Sequence, residues 1–247
     1  MKNQVISLYD YTGEALRPWA EAGYECFAYD IQHEGQRTKS IGDSFSRYIT
    51  YVHADLYKPN TLMDILVRHG ANNVAFLSAF PPCTDLASAG APSWKKKAQA
   101  NPHFQTEAVS RLKEASILAE AFRCPFYIEN PNGAVPRLWR KPDYRFDPYQ
   151  YGGYLPEDDE HPRYPEVIPP RDAYRKRTCL WTGCGFRMPD PRPVEYENVK
   201  CIPKNPLKGE NYSPVHAKTG GKSLRTKNIR SATPRGFAMA VYEENHA

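Results

Sequence analysis

Val74-Ala75-Phe76-Leu77-Ser78-Ala79-Phe80-Pro81-Pro82-Cys83 is the stretch on which the fold turns. Its first half is an apolar run without polar alternation, the pattern of a strand covered on both faces. Proline fixes φ and has no amide hydrogen to give a sheet ladder, so Pro81-Pro82 ends the strand and stiffens its exit. The turn therefore presents the Cys83 thiol at the strand's carboxyl end. A second run, Pro125-Phe126-Tyr127-Ile128, ends similarly in Glu129-Asn130-Pro131. A thiol and a carboxylate at the carboxyl ends of two strands fit the site position of an open α/β sheet. A buried, inert cysteine is the alternative reading of Cys83 taken alone.

Outward from this pair, strand and helix signals alternate. Val5-Ile6-Ser7-Leu8 reads as a strand, with a loop through Gly13 and a helix over Glu14–Ala22 that Gly23 terminates. Cys26–Tyr29 is a second strand, ending at Asp30, and Tyr48–His53 a third, ending near Asp55. A helix over Thr61–His69 stops at Gly70. Glu107–Phe122 carries Ala108, Leu112, Ala115, Ala119 and Phe122 at helical spacing. The alternation predicts a mostly parallel sheet with helices on both faces. From Pro131 to about Tyr174, Tyr, Pro, Arg and Asp dominate without a period, which predicts an irregular segment. Lys176–Trp181 returns as a strand, 183–227 holds short elements at most, and Thr233–Tyr242 is a last helix.

The bulk properties agree with a globular α/β chain. There are 247 residues, a formal charge of +5, and 23 prolines, most of them from Pro125 onward. Mean hydropathy is −0.69. The positive balance favours an anionic partner. No apolar run approaches membrane-spanning length and the start does not read as a signal peptide, so a cytoplasmic protein is expected. The six cysteines (26, 83, 124, 179, 184 and 201) lack the density of a secreted disulfide scaffold. Cys179, Cys184 and Cys201 with His216 have the wrong spacing for a zinc site, so no metal is expected. Thr219–Ser223 resembles the end of a phosphate-binding loop, but His216 stands where glycine is required and no strand precedes it.

The loop after the first strand lacks the GxGxxG pattern of dinucleotide binders, which favours S-adenosylmethionine over a nicotinamide. Gly13 permits close backbone approach, Asp30 suits two ribose hydroxyls, and Asp55 can accept from an adenine amino group.

With these residues in place, the chain resembles the cytosine-C5 DNA methyltransferases, most nearly the short versions carried by phages and prophages. Leu8-Tyr9-Asp10-Tyr11-Thr12-Gly13 is similar to that family's D-L-F-x-G cofactor loop, with the acid displaced by one position. Ala22-Gly23-Tyr24 followed by Asp30 resembles its A-G segment and ribose-binding acid. Pro81-Pro82-Cys83-Thr84-Asp85-Leu86-Ala87-Ser88-Ala89-Gly90 is similar to P-P-C-Q-x-F-S-x-A-G, with Thr for Gln and Ala for Ser. Glu129-Asn130-Pro131 corresponds to E-N-V. Arg175-Lys176-Arg177 resembles the R-x-R of Q-x-R-x-R, with Ala173 in the Gln place, and Ser231-Ala232-Thr233-Pro234 resembles the G-N-x-V-P return to the cofactor.

The resemblance implies a Rossmann-like class I S-adenosylmethionine-dependent methyltransferase sheet with a small irregular recognition segment. It implies a catalytic and cofactor-binding domain over 1–182, a recognition-like segment over 183–227, and a returning helix over 228–247. Cys83, Glu129, Arg175 and Arg177 are the implied catalytic residues. Asp10, Thr12, Gly13, Asp30, Asp55, Pro81, Ser231 and Thr233 are the implied cofactor contacts. Cys83 adds to cytosine C6, Glu129 protonates N3, and the arginines stabilise the ring carbonyl or a phosphate. In duplex DNA the base must first leave the stack. Trp94-Lys95-Lys96-Lys97, just beyond the thiol, suit contact with the DNA backbone and wedging. The short recognition segment implies a short or relaxed target sequence.

Three alternatives stay open. The same chemistry could act on RNA or a free nucleotide, the cofactor could deliver a modified group, or the chain could be a catalytically silent DNA-binding protein that opposes restriction. The presence of both Cys83 and Glu129 argues against silence, since binding alone needs neither.

Overall fold

The computed structural model describes residues 2–41, 44–196, 199–200, 211–221 and 223–246. The elements of the main sheet and its helices are, in chain order, β1 (Gln4–Leu8), α1 (Arg17–Glu21), β2 (Glu25–Asp30), β3 (Gln36–Ile41) and β4 (Ser44–His53). There follow α2 (Thr61–His69), β5 (Val74–Ala79), α3 (Trp94–Ala100), α4 (Phe104–Phe122), β6 (Phe126–Pro131), α5 (Val135–Leu138), β7 (Tyr144–Phe146) and β8 (Thr178–Gly183). A two-stranded ribbon, β9 (Val199–Lys200) and β10 (Asn211–Tyr212), then precedes α6 (Pro214–Lys218), α7 (Leu224–Ser231) and α8 (Arg235–Asn245).

The eight strands of the sheet stand in the order β3-β4-β2-β1-β5-β6-β8-β7. β4, β2, β1, β5 and β6 are mutually parallel, whereas β8 runs antiparallel to β6 and pairs Glu129 with Leu180. Order reverses across β1 and β5, as it does in doubly wound sheets, where ligands sit at the carboxyl edge beside the reversal. This is the Rossmann-like, mostly parallel α/β sheet expected from the sequence. Along that edge lie the loop after β1, Asp30, Asp55, the Pro81-Pro82-Cys83 turn and Glu129.

Two apolar layers hold the sheet. One gathers Ile6, Leu8, Leu77 and Ile128 under α2 and α4, through Ile65, Leu112, Ala115 and Phe122. The other sets Val5, Phe76 and Tyr127 against Trp19 of α1 and Phe237 and Val241 of α8. β1 is therefore covered on both sides, and its run needs no alternation. A smaller cluster joins Tyr164, Val167, Ile168 and Tyr174 to Val215, Ile229 and Ala232, so α6 and α7 pack on the irregular segment before β8. Residues 192–194 run back along 149–153, with Gly153 N donating to Arg192 O (2.8 Å) and Val194 N to Tyr149 O (2.9 Å).

Several boundaries differ from expectation. The first helix shrinks from Glu14–Ala22 to Arg17–Glu21, because Pro18 is tolerated only in a first turn. β3 is an unforeseen edge strand whose residues Gln36–Ser40 are all exposed, so no apolar alternation marks it. α7 is equally quiet in sequence, burying Thr226, Asn228 and Ile229 among charged neighbours. Among the described residues no helix is long and apolar enough to cross a membrane. Also among them, no group of three His, Cys, Asp or Glu could hold a metal, and Cys201 lies outside the described residues.

Candidate active site

The β5 and β6 carboxyl ends are fastened to each other before they do any chemistry. Asn130, fully buried, donates from Nδ2 to Pro81 O at 2.9 Å. Beyond the strands, Ser88 N donates to Asn132 O (3.0 Å) and Ala134 N to Leu86 O (2.8 Å). Gly133 sits so close to this turn that a Cβ there would lie 1.9 Å from Leu86 O. Only glycine fits such an approach. Amides of Leu86 and Ala87 both donate to Cys83 O, which closes the turn that carries the thiol.

Cys83 is half-buried with a free thiol. Burial raises its pKa, and the nearby Glu129 carboxylate raises it further, while Lys176 and Arg230 act in the opposite direction. The thiol and carboxylate thus share one electrostatic neighbourhood, and the thiolate is disfavoured while Glu129 is charged. Glu129 Oε1 is buried and has no hydrogen-bond partner. Lys176 Nζ stands 3.8 Å from it, beyond hydrogen-bond reach. A buried acceptor left open costs about 1–3 kcal/mol, and a water, an ion or a ligand that bonds to it recovers that cost. Phe80, Tyr127, Glu129, Lys176, Thr233 and Phe237 border a narrow cavity of about 10 Å³ there, which Ser231 also lines.

Arg175 and Arg177, both expected at the reacting ring, are exposed. The Arg175 guanidinium lies 5.9 Å from the centre of the Tyr196 ring, and Arg177 Nε pairs with Asp147 Oδ2 at 3.2 Å. Tyr174 and Thr178 are buried on either side of them, so the period-two register leading into β8 turns Lys176 inward and both arginines out. The cation beside Glu129 is therefore a lysine, a correction to the expected pair. The alternation Tyr174-Lys176-Thr178 was the available signal. Arg230 on α7 and His216 on α6 also reach this neighbourhood; Arg230 did not stand out in the sequence, and His216 was weighed there only for zinc and phosphate binding. The His216 pKa is lowered by partial burial, then by Arg230 and Lys176.

The loop after β1 is built differently. Asp10 Oδ1 accepts from Gly13 N (2.7 Å), Thr12 N (3.0 Å) and Thr12 Oγ1 (3.2 Å), and Oδ2 accepts from Ser7 Oγ (2.8 Å). Its carboxylate is consumed in holding the loop, whose Thr12 carbonyl in turn accepts from Tyr51 Oη at 3.2 Å. Tyr9 begins the loop at φ 57° and Gly13 closes it at φ 76°, where a Cβ would meet Tyr51 Oη at 2.5 Å. Glu14, next along, is buried with Oε2 unpartnered and 3.9 Å from Arg235 Nε, and burial raises its pKa. Asp30 Oδ1 accepts from Gln32 N (2.8 Å), and burial raises its pKa. Asp55 Oδ1 accepts from Tyr57 N at 3.1 Å. Ile31, 55% exposed beside Asp30, is an apolar surface that the sequence reading passed over. Beyond Asp55 opens a groove of about 420 Å³ between Tyr57, Asn60, Met63, Arg111 and Glu114.

Trp94 is half-buried and packs on the main core, so it anchors α3 and does not stand free as a wedge. Lys97 is tied to Asp85, whereas Lys95 and Lys96 are exposed.

No family model and no curated protein matches this chain. Among solved structures it is similar to a candidate DNA modification methyltransferase encoded within a prophage of E. coli, at 14% identity and a TM-score of 0.40. The match covers 73% of this chain and 46% of that one, so this chain spans less than half of that protein's length. A likeness this distant assigns no activity.

Proposed function

We propose that the protein transfers a methyl group from S-adenosylmethionine to C5 of cytosine in DNA through a covalent Cys83–C6 adduct. The observation that carries this reading is the shared neighbourhood of the Cys83 thiol and the Glu129 carboxylate, held by the Asn130–Pro81 bond. Cytosine C5 is too weak a nucleophile to take a methyl group unaided. Addition of the Cys83 sulfur at C6 pushes the ring electrons toward C5 and N3. Glu129 accepts from the exocyclic amino group and gives a proton to N3 as the sulfur adds, so charge does not accumulate on the ring. Once C5 carries the methyl group, its proton leaves to solvent water, the ring electrons expel Cys83 as a thiolate, and N3 returns its proton to Glu129. The raised thiol pKa fits a nucleophile that ionises only once the carboxylate beside it is engaged.

The residues at the sheet's edge suit the cofactor. The Gly13 cradle admits no side chain, and the orphaned, buried Glu14 Oε2 suits an ammonium donor. Thr12, Gly13, Asp30 and Asp55 would hold its nucleoside end, with Ile31 and the Tyr57 groove beside them. Pro81, Ser231 and Thr233 would face its reacting end. When bound, it supplies an electrophilic methyl on a sulfonium. Asp10 supports this arrangement through the loop and without direct contact. Lys95 and Lys96, with Arg175 and Arg177 exposed nearby in sequence to the site strand, suit phosphate contacts that offset base extrusion.

The test is incubation with labelled S-adenosylmethionine and DNA, followed by digestion to nucleosides. Label is expected in 5-methylcytosine and lost in Cys83→Ser. Label on an exocyclic nitrogen overturns the reading.

A further inference from the structure

Glu129 Oε1 is a buried acceptor without a donor, and the only ion pair drawn to it among the described residues is Lys176, 3.8 Å away. Their side chains are 15% and 17% exposed and border the same narrow cavity. One acceptor and one donor, 3.8 Å apart at the strand ends, match the edge of an aminopyrimidine. Such a ring offers an amino donor at C4 and a carbonyl acceptor at C2, with N3 between them. A carboxylate can take the amino group while an ammonium gives to the carbonyl. Uracil reverses the first half of this pattern, since its C4 oxygen would face the carboxylate. Arg175 and Arg177 cannot share the task from where they stand, one over Tyr196 and the other on Asp147.

From this arrangement we infer that Lys176, and neither flanking arginine, is the group that binds the pyrimidine 2-carbonyl and holds the ring against Cys83 and Glu129. The inference rests on the cytosine reading above. As electrons move into the ring on sulfur addition, negative charge grows at the carbonyl oxygen, so the ammonium binds the adduct more strongly than the free base. A lysine is a compact point donor on a flexible stem, which suits a single carbonyl oxygen, whereas a guanidinium fork is shaped for bidentate partners.

The experiment is covalent trapping on 5-fluorocytosine DNA with S-adenosylmethionine, because fluorine blocks the final elimination. The variants are Lys176→Met, Lys176→Arg, Arg175→Met and Arg177→Met, each checked by thermal melting. Lys176→Met is expected to slow adduct formation at least tenfold at saturating DNA, in the rate constant and not only in DNA affinity. Lys176→Arg, which keeps a donor, is expected to recover a substantial part of that loss. The arginine variants are expected to raise the DNA concentration needed while leaving the saturated rate within about threefold, as phosphate contacts do. A Lys176→Met protein that traps at the wild-type rate overturns this inference alone. So does a Lys176→Arg protein as slow as Lys176→Met, since that would make the lysine a packing residue. Absence of any adduct in the wild-type protein overturns the cytosine reading and this inference with it.

Discussion

Asp10, just past β1, and Glu129, near the end of β6, stand at the same edge of the sheet two strands apart, yet the fold treats them in opposite ways. Asp10 is 3% exposed and spends both oxygens on Ser7, Thr12 and Gly13. Glu129 keeps Oε1 buried and unbonded, with the Lys176 ammonium held just out of hydrogen-bond range. The first arrangement builds a rigid loop whose polar groups are already used by the fold. The second leaves a buried acceptor open to whatever enters beside it. Polar groups at one rim can thus be divided into those the fold has used and those it has left open, and the second kind marks the chemistry.

The largest effects should separate the two kinds by readout. Cys83→Ser is expected to lower methyl transfer by more than about 1000-fold with an unchanged melting temperature. Glu129→Gln removes the proton donor and is expected to lower transfer by about 100-fold or more, while shifting stability by less than about 1 kcal/mol. Asp10→Ala should reverse this profile. It takes the acceptor away from the Thr12, Gly13 and Ser7 donors, so urea unfolding is expected to show a loss of about 3 kcal/mol. If Glu129→Gln destabilises the fold as much as Asp10→Ala does, the distinction between used and open groups fails.

Asp172 extends the comparison to pH. It is fully buried and accepts from Gly236 N at 2.9 Å, and burial pushes its pKa up to about 7 from 3.8. The folded state therefore holds a proton that the unfolded state releases, and stability falls as pH rises through that interval. His69 and His161 act in the opposite sense, since burial lowers both from 6.5 to about 4, and their contribution grows as pH rises between those values. The difference between wild type and Asp172→Asn removes the histidines from the comparison. The asparagine variant is expected to gain on wild type by about 4 kcal/mol between pH 4 and pH 8. A flat difference curve would show that Asp172 ionises at its ordinary pKa despite burial.

The strands that carry the site were legible because both-face burial leaves continuous apolar runs, as in Val74–Ala79 and Phe126–Ile128. Prolines marked where those runs stop. The edge strand β3 and helix α7 were not legible, since neither buries a continuous face and packing, not pattern, fixes them. Cys83 and Glu129 were readable as a pair through their strand ends. Lys176 was not, because motif spacing drew attention to the arginines beside it, and a one-residue register change exchanges which side chains face inward. Whether an acid is used or open is likewise invisible in sequence: Asp10, Asp30 and Asp55 look alike until their hydrogen bonds are drawn.

The smallest effects are expected in α3, where both kinds of group sit within a single turn. Lys97 is bonded to Asp85 and Trp94 packs on the core, so these two belong to the fold. Lys95 and Lys96 are exposed and belong to whatever approaches. If they neutralise phosphates, Lys95→Ala and Lys96→Ala should each reduce the slope of log affinity against log salt by about 0.9, with affinity falling a few-fold at moderate salt. Lys97→Ala should leave that slope unchanged, because its charge is already balanced by Asp85, and should show its effect in local stability. Fluorescence anisotropy with a labelled duplex across a salt series measures all three. An equal change of slope at Lys97 would mean that the Asp85 pair opens on DNA, and α3 would then be a segment that rearranges on binding.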